Sequence, residues 1–285
     1  MTNNADLYIE LMKGVVTRSV CPDRYRPLKA SILRSRNLPA FAAFKLIEPF
    51  LNAFNLRLCL ANYNPQVRRA GTDWPADAET MVGMQRISNV EFCVRDVVAR
   101  GVPGDFIETG VWRGGVCIFV KAMLKALGDT ERVVWLADSF EGLPRPDGRF
   151  QQDAGDNFYQ FKDVLGVSLM EVQTNFERYG LLDNRVRFLK GWFKDTLPTA
   201  PIDRLAILRL DGDMYASTWD ALQALYWKVS PGGYVIVDDY GAVDACKQAV
   251  QDFRSQNGIT DPIQRIDDLG VFWRNSSDVA QPACV

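Results

Sequence analysis

There is no histidine anywhere in the 285 residues. That absence removes every Ser-His-Asp or Cys-His nucleophile and every histidine-ligated metal, so any general base must be a carboxylate, a lysine, a tyrosine or a cysteine. Paired cysteines are missing too. The six present (Cys21, Cys59, Cys93, Cys117, Cys246, Cys284) stand singly, with no C-x-x-C and no secretory leader pattern, and are expected to be buried thiols of a cytoplasmic protein rather than zinc ligands or disulfides. Nor is there a basic excess. Lys+Arg 33 against Asp+Glu 35 gives a formal charge of −2, which lacks the footprint of a nucleic-acid binder.

A long unbroken apolar run is likewise absent. The nearest, Leu38 to Leu60, is interrupted by Pro39, Lys45, Glu48, Pro49 and Arg57, and is expected to form a folded or surface-lying arm, a core or dimer-interface helix in preference to a peripheral membrane contact, and not a membrane span. What is present, 47% hydrophobic and 24% charged residues, is an ordinary globular balance.

Two textures divide the chain. Residues 1–100 read as a mostly helical arm. Tyr8, Leu11, Met12 and Val15 fall at helical spacing, as do Val90, Val94, Val97 and Val98, around a polar break at Ala61 to Ala78 that holds Gly71-Thr72-Asp73-Trp74-Pro75. From Gly101 strands alternate with helices: Asp105–Thr109, Val133–Ala137, Val186–Leu189, Leu205–Leu210 and Tyr234–Val237, an α/β pattern with a largely parallel sheet.

The helix after the first strand starts near Gly115, places Val116, Phe119, Val120, Met123, Leu124 and Leu127 on one face, and stops at Gly128. Two further helices are expected to start at the capping sequences Ser168-Leu169-Met170-Glu171 and Ser217-Thr218-Trp219-Asp220. Pro262–Ile266, a turn at Asp267-Asp268, and Gly270–Arg274 read as a terminal hairpin. Five parallel strands with such an ending are the inventory of the seven-stranded class I S-adenosylmethionine-dependent methyltransferase sheet, a Rossmann-like arrangement.

The chemistry gathers at the strand ends. The first strand runs into Glu108-Thr109-Gly110-Val111-Trp112-Arg113-Gly114-Gly115, where glycines permit a sharp turn and close approach to a ligand. The acid suits a cationic group better than a pyrophosphate. The second strand ends in Asp138-Ser139-Phe140-Glu141-Gly142, placing a carboxylate where a nucleoside ribose can be held. The fourth and fifth end in Asp211-Gly212-Asp213 and Asp238-Asp239.

Parallel strands deliver these four carboxylates to one crevice, where mutual repulsion favours protonation or a hard divalent cation, Mg²⁺ above others. The alternative is that some cap helices or pair with Arg209 or Lys247. D-x-D at a strand end also serves metal-dependent nucleotide-sugar glycosyltransferases, which have no need of the acidic glycine turn or of the second acid pair.

Together these residues resemble the macrocin and mycinamicin O-methyltransferases, which methylate deoxysugar hydroxyls of macrolides and related glycosides. The similarity rests on Asp73-Trp74-Pro75 with Thr80-Met81-Val82-Gly83, Glu108 through Gly115, Asp138 through Pro144, Tyr179 through Asp183, Gly191 through Pro198, Leu210 through Asp213, and Pro231-Gly232-Gly233 leading to Asp238-Asp239-Tyr240, across roughly residues 70 to 275. The chain departs at Pro22 to Tyr63, a longer arm than the family's usual one.

The resemblance implies Mg²⁺ on Asp211, Asp238 and Asp239, and Asp213 as general base. It implies S-adenosylmethionine held by Thr80, Met81, Glu108, Thr109, Gly110, Val111, Trp112, Asp138, Ser139, Phe140, Glu141, Gly142 and Trp192. The expected partner is a small-molecule glycoside, with no nucleic acid and no membrane span, in a homo-oligomer.

A sugar hydroxyl, with a pKa near that of water at about 15.7, lies roughly twelve units above an aspartate at about 3.9, so Asp213 needs a cation's help to take the proton. Arg145 to Val167, which lacks a period, is expected to be a mobile lid. A catechol-type O-methyltransferase, with a phenol near pKa ~10, is the nearest competing enzyme. A cofactor-binding scaffold whose aspartates are structural is the non-enzymatic one.

Overall fold

The computed structural model describes residues 3–22, 25–28, 38–60 and 64–276, so Cys284 lies outside the described residues. A seven-stranded sheet forms the centre, in the order β5-β4-β3-β6-β7-β9-β8. Its strands are β3 (Asp105–Thr109), β4 (Val134–Asp138), β5 (Val186–Lys190), β6 (Leu205–Leu210), β7 (Val229–Val237), β8 (Gln264–Arg265) and β9 (Val271–Arg274). The first five are mutually parallel, and β9 runs antiparallel beside β7 with β8 at its outer edge.

Every residue of β6 is buried, as a central parallel strand covered on both faces requires. Thr109 pairs with both Ala137 and Leu210, and Leu210 with Val237, so the four central strands end level. That register brings Gly110, Asp138, Asp211 and Asp238 to one edge. β7 begins five residues earlier than its apolar core suggests and carries Pro231-Gly232-Gly233 through a register shift beside β6.

Helices cover both faces. On one lie α1 (Asn4–Val16), α4 (Met84–Ala99), α5 (Gly115–Ala126) and α7 (Leu169–Arg178), in an apolar layer that includes Ile9, Val90, Val94, Phe119 and Phe176. On the other, α9 (Tyr215–Leu225) and α10 (Asp244–Gln256) pack Leu222, Leu225, Val250 and Phe253 against Leu208 and Val235. Each such side chain contributes roughly 1.5–3 kcal/mol by burial. The change of sequence texture near residue 101 does not separate the packing, because α1 and α4 share the layer of α5.

Several local expectations differ from what forms. α1 buries Ile9, Met12 and Val16 while Tyr8 and Leu11 face outward, so its contact stripe is rotated from the one the spacing suggests. The cause is α5, whose outer side α1 covers. α5 is consequently buried nearly all round, and even Lys121 is covered and paired with Asp183 at 2.9 Å. The expected polar break holds a short helix, α3 (Pro65–Ala70), capped by Asn64 and closed by Gly71 in the left-handed conformation.

The apolar stretch folds as α2 (Leu38–Ala53), but not as a core helix: Leu46 is 82% and Phe50 65% exposed, and among its described side chains Phe44 alone of the large apolar ones is buried. Beside it β1 (Arg26–Pro27) pairs with β2 (Cys59–Leu60). No helix among the described residues is long and apolar enough to cross a membrane.

α7 starts where its cap sequence places it, with the Ser168 hydroxyl accepting from the Glu171 amide at 3.2 Å. Ser168→Ala is expected to cost about 1 kcal/mol, read as a lower urea midpoint at unchanged slope. The start expected at Ser217 is displaced: α9 begins at Tyr215, Ser217 lies inside it, and its cap comes from elsewhere in the chain.

Candidate active site

Three strand tips turn through a residue whose backbone most side chains avoid. Besides Arg18 and Asn55, far from the sheet edge in sequence, the left-handed non-glycine residues among those described are Trp112 (φ 48°), Phe140 (φ 57°) and Asp213 (φ 57°), one after each of β3, β4 and β6. Such conformations persist where surrounding contacts over-determine them, as at functional sites. Gly110 could be nothing else, since a Cβ there would lie 1.7 Å from the Asp211 carbonyl oxygen. The β3 and β6 turns are thus pressed backbone to backbone.

Asp138 ties two turns together: one carboxylate oxygen accepts from the Val111 amide at 2.8 Å, the other from Phe140 at 2.7 Å. Ser139 Oγ accepts from the Glu141 amide at 3.0 Å and donates to the Gly142 carbonyl at 2.7 Å. Trp112 donates its indole N–H to the Val164 carbonyl at 2.9 Å.

A cavity of about 370 Å³ opens over this edge. Of the residues expected to hold a cofactor, Met81, Gly110, Trp112, Asp138, Ser139, Gly142 and Trp192 line it. The others form no part of its wall. Thr80 is buried and accepts from the Val82 amide, Thr109 and Val111 are buried, Phe140 packs on Phe188, and Glu141 is exposed. Arg145, Asp147, Arg149, Phe193, Lys194, Met214, Ser217 and Asp220 also contribute to the wall. Of these, Phe193 and Lys194 lay in a stretch that carries the resemblance, Arg145, Asp147 and Arg149 in the expected lid, and Ser217 and Asp220 at an expected helix start, whereas Met214 lay in none.

Glu108 does not face the cavity. Expected to meet a cationic cofactor group, it is 2% exposed and paired with the Arg209 guanidinium, with the Cys117 thiol donating to its other oxygen at 2.9 Å. Burial pushes its carboxyl up to about 7 despite that cation.

The carboxylates of Asp211, Asp238 and Asp239 can each bring one oxygen within 4.8 Å of the other two, a set of hard donors of the kind that holds Mg²⁺. Asp213 lines the cavity next to them, and its amide donates to Asp239 at 3.2 Å. Of the four acids, Asp211 and Asp238 are compensated by guanidiniums, and Asp213 and Asp239 are not. Arg209 binds Glu108, Asp211 and Asp238 together, and Arg86 of α4 binds Asp238, Asp267 at 3.2 Å and the Gly71 carbonyl at 2.9 Å. Lys247 takes no part and lies over the Tyr240 ring. No sequence pattern announces Arg86, which is 152 residues from Asp238.

Two guanidiniums against six carboxylates (Glu108, Asp211, Asp213, Asp238, Asp239 and Asp267) do not balance, and the protonation preferences follow. Asp238, between both cations, is held below its ordinary value although burial opposes it. Asp211 and Asp239 are pushed up by burial and by neighbouring aspartates. Asp213 has no cation beside it, and burial with Asp211, Asp238 and Asp156 raises it to about 7. That is the range in which a carboxylate can work as a base.

Comparison with known proteins places this geometry. A profile of the Macrocin-O-methyltransferase (TylF) family matches residues 5–275. A Streptomyces olivaceus protein, 8-demethyl-8-(2,3-dimethoxy-alpha-L-rhamnosyl)-tetracenomycin-C 4'-O-methyltransferase, is 48% identical over 290 residues, covering 100% of both chains. The mycinamicin III 3''-O-methyltransferase of Micromonospora griseorubida is 50% identical over 76% of this chain and 86% of its own. Among solved structures, the O-methyltransferase NovP superposes with a TM-score of 0.82 and 44% identity over 96% of this chain and 100% of that one, a class I methyltransferase fold.

Proposed function

Because the chain belongs to the macrocin-O-methyltransferase family and is an O-methyltransferase, we propose that it transfers a methyl group from S-adenosylmethionine to a sugar hydroxyl of a glycosylated natural product with the help of Mg²⁺. The observation that carries this reading is the meeting of Asp211, Asp238 and Asp239 at a cavity whose wall holds Asp211 and Asp213. The tetracenomycin relative is named for a rhamnosyl position and the mycinamicin relative for a 3'' hydroxyl, which supports a sugar acceptor here.

Asp211, Asp238 and Asp239 would hold the ion, which when bound polarises a hydroxyl oxygen and lowers its pKa. Asp213 then accepts the hydroxyl proton as the new bond forms, which its raised affinity for protons suits. S-adenosylmethionine supplies an electrophilic methyl on sulfur and needs no covalent enzyme intermediate. Gly110, Asp138 and Trp192 border the space for it, and Met81 reaches in from the helical region, residues 1–100. Arg209 and Arg86 fix Asp238 from both sides. The wall holds the acceptor oxygen in line with the methyl carbon and keeps water out.

A turnover assay of S-adenosylmethionine against rhamnosyl glycosides and catechols, with and without Mg²⁺, tests the proposal. Methylation of a glycoside that stops with EDTA and returns with Mg²⁺ is expected. Exclusive use of catechols would move the assignment to the phenol-directed class, and undiminished turnover in EDTA would remove the ion.

The raised carboxylates add a sign to this test. Asp211 and Asp239 favour their protons without the ion, while ligands must be ionised, so Mg²⁺ affinity should rise with pH, with protons released on binding. Calorimetry in buffers of different ionisation enthalpy counts them. Affinity independent of pH would contradict a carboxylate site.

A further inference from the structure

α9 leads directly out of the turn that carries Asp213, yet it has no cap of its own. The residue before its first turn is Met214, whose backbone (φ −78°, ψ 159°) is that of an ordinary capping position but whose thioether, a weak acceptor, makes no cap hydrogen bond. The amides of the first turn therefore depend on a partner from elsewhere. Asp153 supplies it. One carboxylate oxygen accepts from Tyr215 N at 2.8 Å, the other from Ala216 N at 2.9 Å.

Asp153 lies 62 residues upstream, closes the short 3₁₀ turn Gln151–Asp153, and is 4% exposed. A serine or aspartate at position 214 would satisfy an amide of the same turn, at Ala216 or Ser217, locally, and an aspartate would also favour the helix dipole. A distant cap does something a local one does not: it fastens another segment to this turn.

That segment is the stretch expected to be a lid, and it is fastened at three points. Besides the Asp153 cap, Phe150 packs on the Tyr215 ring at 4.8 Å and on Trp219 at 6.2 Å, and Arg149 grips both oxygens of Asp220 on α9 at 2.9 and 2.8 Å. Arg149 and Asp220 are themselves part of the cavity wall. Asp213 sits between two anchors. On one side its amide is tied to Asp239, and on the other, two residues away at Tyr215, the helix N-terminus is held by Asp153. Its left-handed backbone, at φ 57°, needs such holding.

We propose that Asp153 is a positioning residue for Asp213: by capping α9 from the wall segment it keeps the 211–214 turn in the one conformation that sets the Asp213 carboxylate against the acceptor, so wall closure and base placement are a single event. This rests on the reading of Asp213 as the base. It makes the segment at 149–153 part of the catalytic apparatus although none of its atoms need touch the transferred methyl.

The test is a double-mutant cycle on the full-length enzyme with Mg²⁺, S-adenosylmethionine and the rhamnosyl glycoside of the turnover assay. Asp153→Ala is expected to lower kcat by about 10- to 100-fold, the scale of a misplaced catalytic group, with KM for S-adenosylmethionine nearly unchanged. Amide exchange at Tyr215 and Ala216 should quicken. In the Asp213→Asn background the same change should cost nothing further, because a base that is gone cannot be misplaced.

Asp153→Asn keeps one acceptor oxygen, should lose less, and carries the cycle if the alanine variant fails to fold. An equal loss in both backgrounds, or unchanged kcat with faster exchange, overturns the positioning role. Full turnover of Asp213→Asn alone removes the base itself, and this inference with it, so the two failures are told apart.

Discussion

Asp213→Asn lowers kcat by roughly 10²–10⁴-fold, the contribution of a positioned general base. Asparagine has nearly the same shape and can accept a hydrogen bond, but it cannot take a proton at neutral pH. It therefore separates geometry from proton transfer. Asp213 has no cation among its neighbours and is raised by burial and by Asp211, Asp238 and Asp156, so removing its charge relieves repulsion instead of stranding a partner. The variant should unfold no earlier than the parent and bind S-adenosylmethionine as tightly.

Mg²⁺ should bind Asp213→Asn no more weakly, unless the Asp213 carboxylate is itself a ligand. Rapid-quench measurement of a single turnover locates the loss in the chemical step. A variant with intact turnover would leave the raised carboxylate without a role, whereas a loss confined to cofactor affinity would make Asp213 a binding residue.

Arg209→Met is expected to cost about 3–5 kcal/mol of stability, the penalty for removing one partner from a buried ionic group. Arg209 is fully buried and is the common partner of Glu108, Asp211 and Asp238, which arrive from three neighbouring strands. Methionine fills most of the volume, so the loss is electrostatic. Glu108 and Asp211 already lie above their unfolded values, and without the guanidinium they rise further.

A carboxylate raised in the folded state opposes folding once pH exceeds its unfolded value. Asp238, now held low, contributes stability that is present above its unfolded value and lost as pH falls through its folded one. The first effect makes the deficit of Arg209→Met larger at pH 8 than at pH 5, whereas the loss at Asp238 weighs equally at both, because both lie above an unfolded aspartate's value of about 3.9. Urea unfolding of parent and variant at the two pH values reads this directly. Adding Glu108→Gln should recover part of the deficit by removing one stranded charge, and a deficit that is independent of pH would mean lost packing.

The sequence alone settled a good deal, and for local reasons. Each of the five parallel strands is a short apolar run, and strands of that kind separated by helical spacing have few ways to be arranged. The acids directly follow those strands. Once the sheet is parallel, Asp138, Asp211, Asp213, Asp238 and Asp239 must reach one edge, because parallel strands all end on the same side. The missing histidine had already confined the base to a carboxylate or a few weaker choices.

What the tertiary structure decided concerns partners distant along the chain. The contact face of α1 depended on α5, whose outer surface had no sequence mark. Glu108 pairs with Arg209 because adjacent strands place them side by side, and that turned an expected ligand contact into part of a buried ionic frame. Arg86 reaches Asp238, and Asp153 reaches the start of α9, across separations that no periodicity encodes. A charge's neighbours in the fold fix its protonation and its orientation, while its neighbours in the chain fix only which element carries it to the sheet edge.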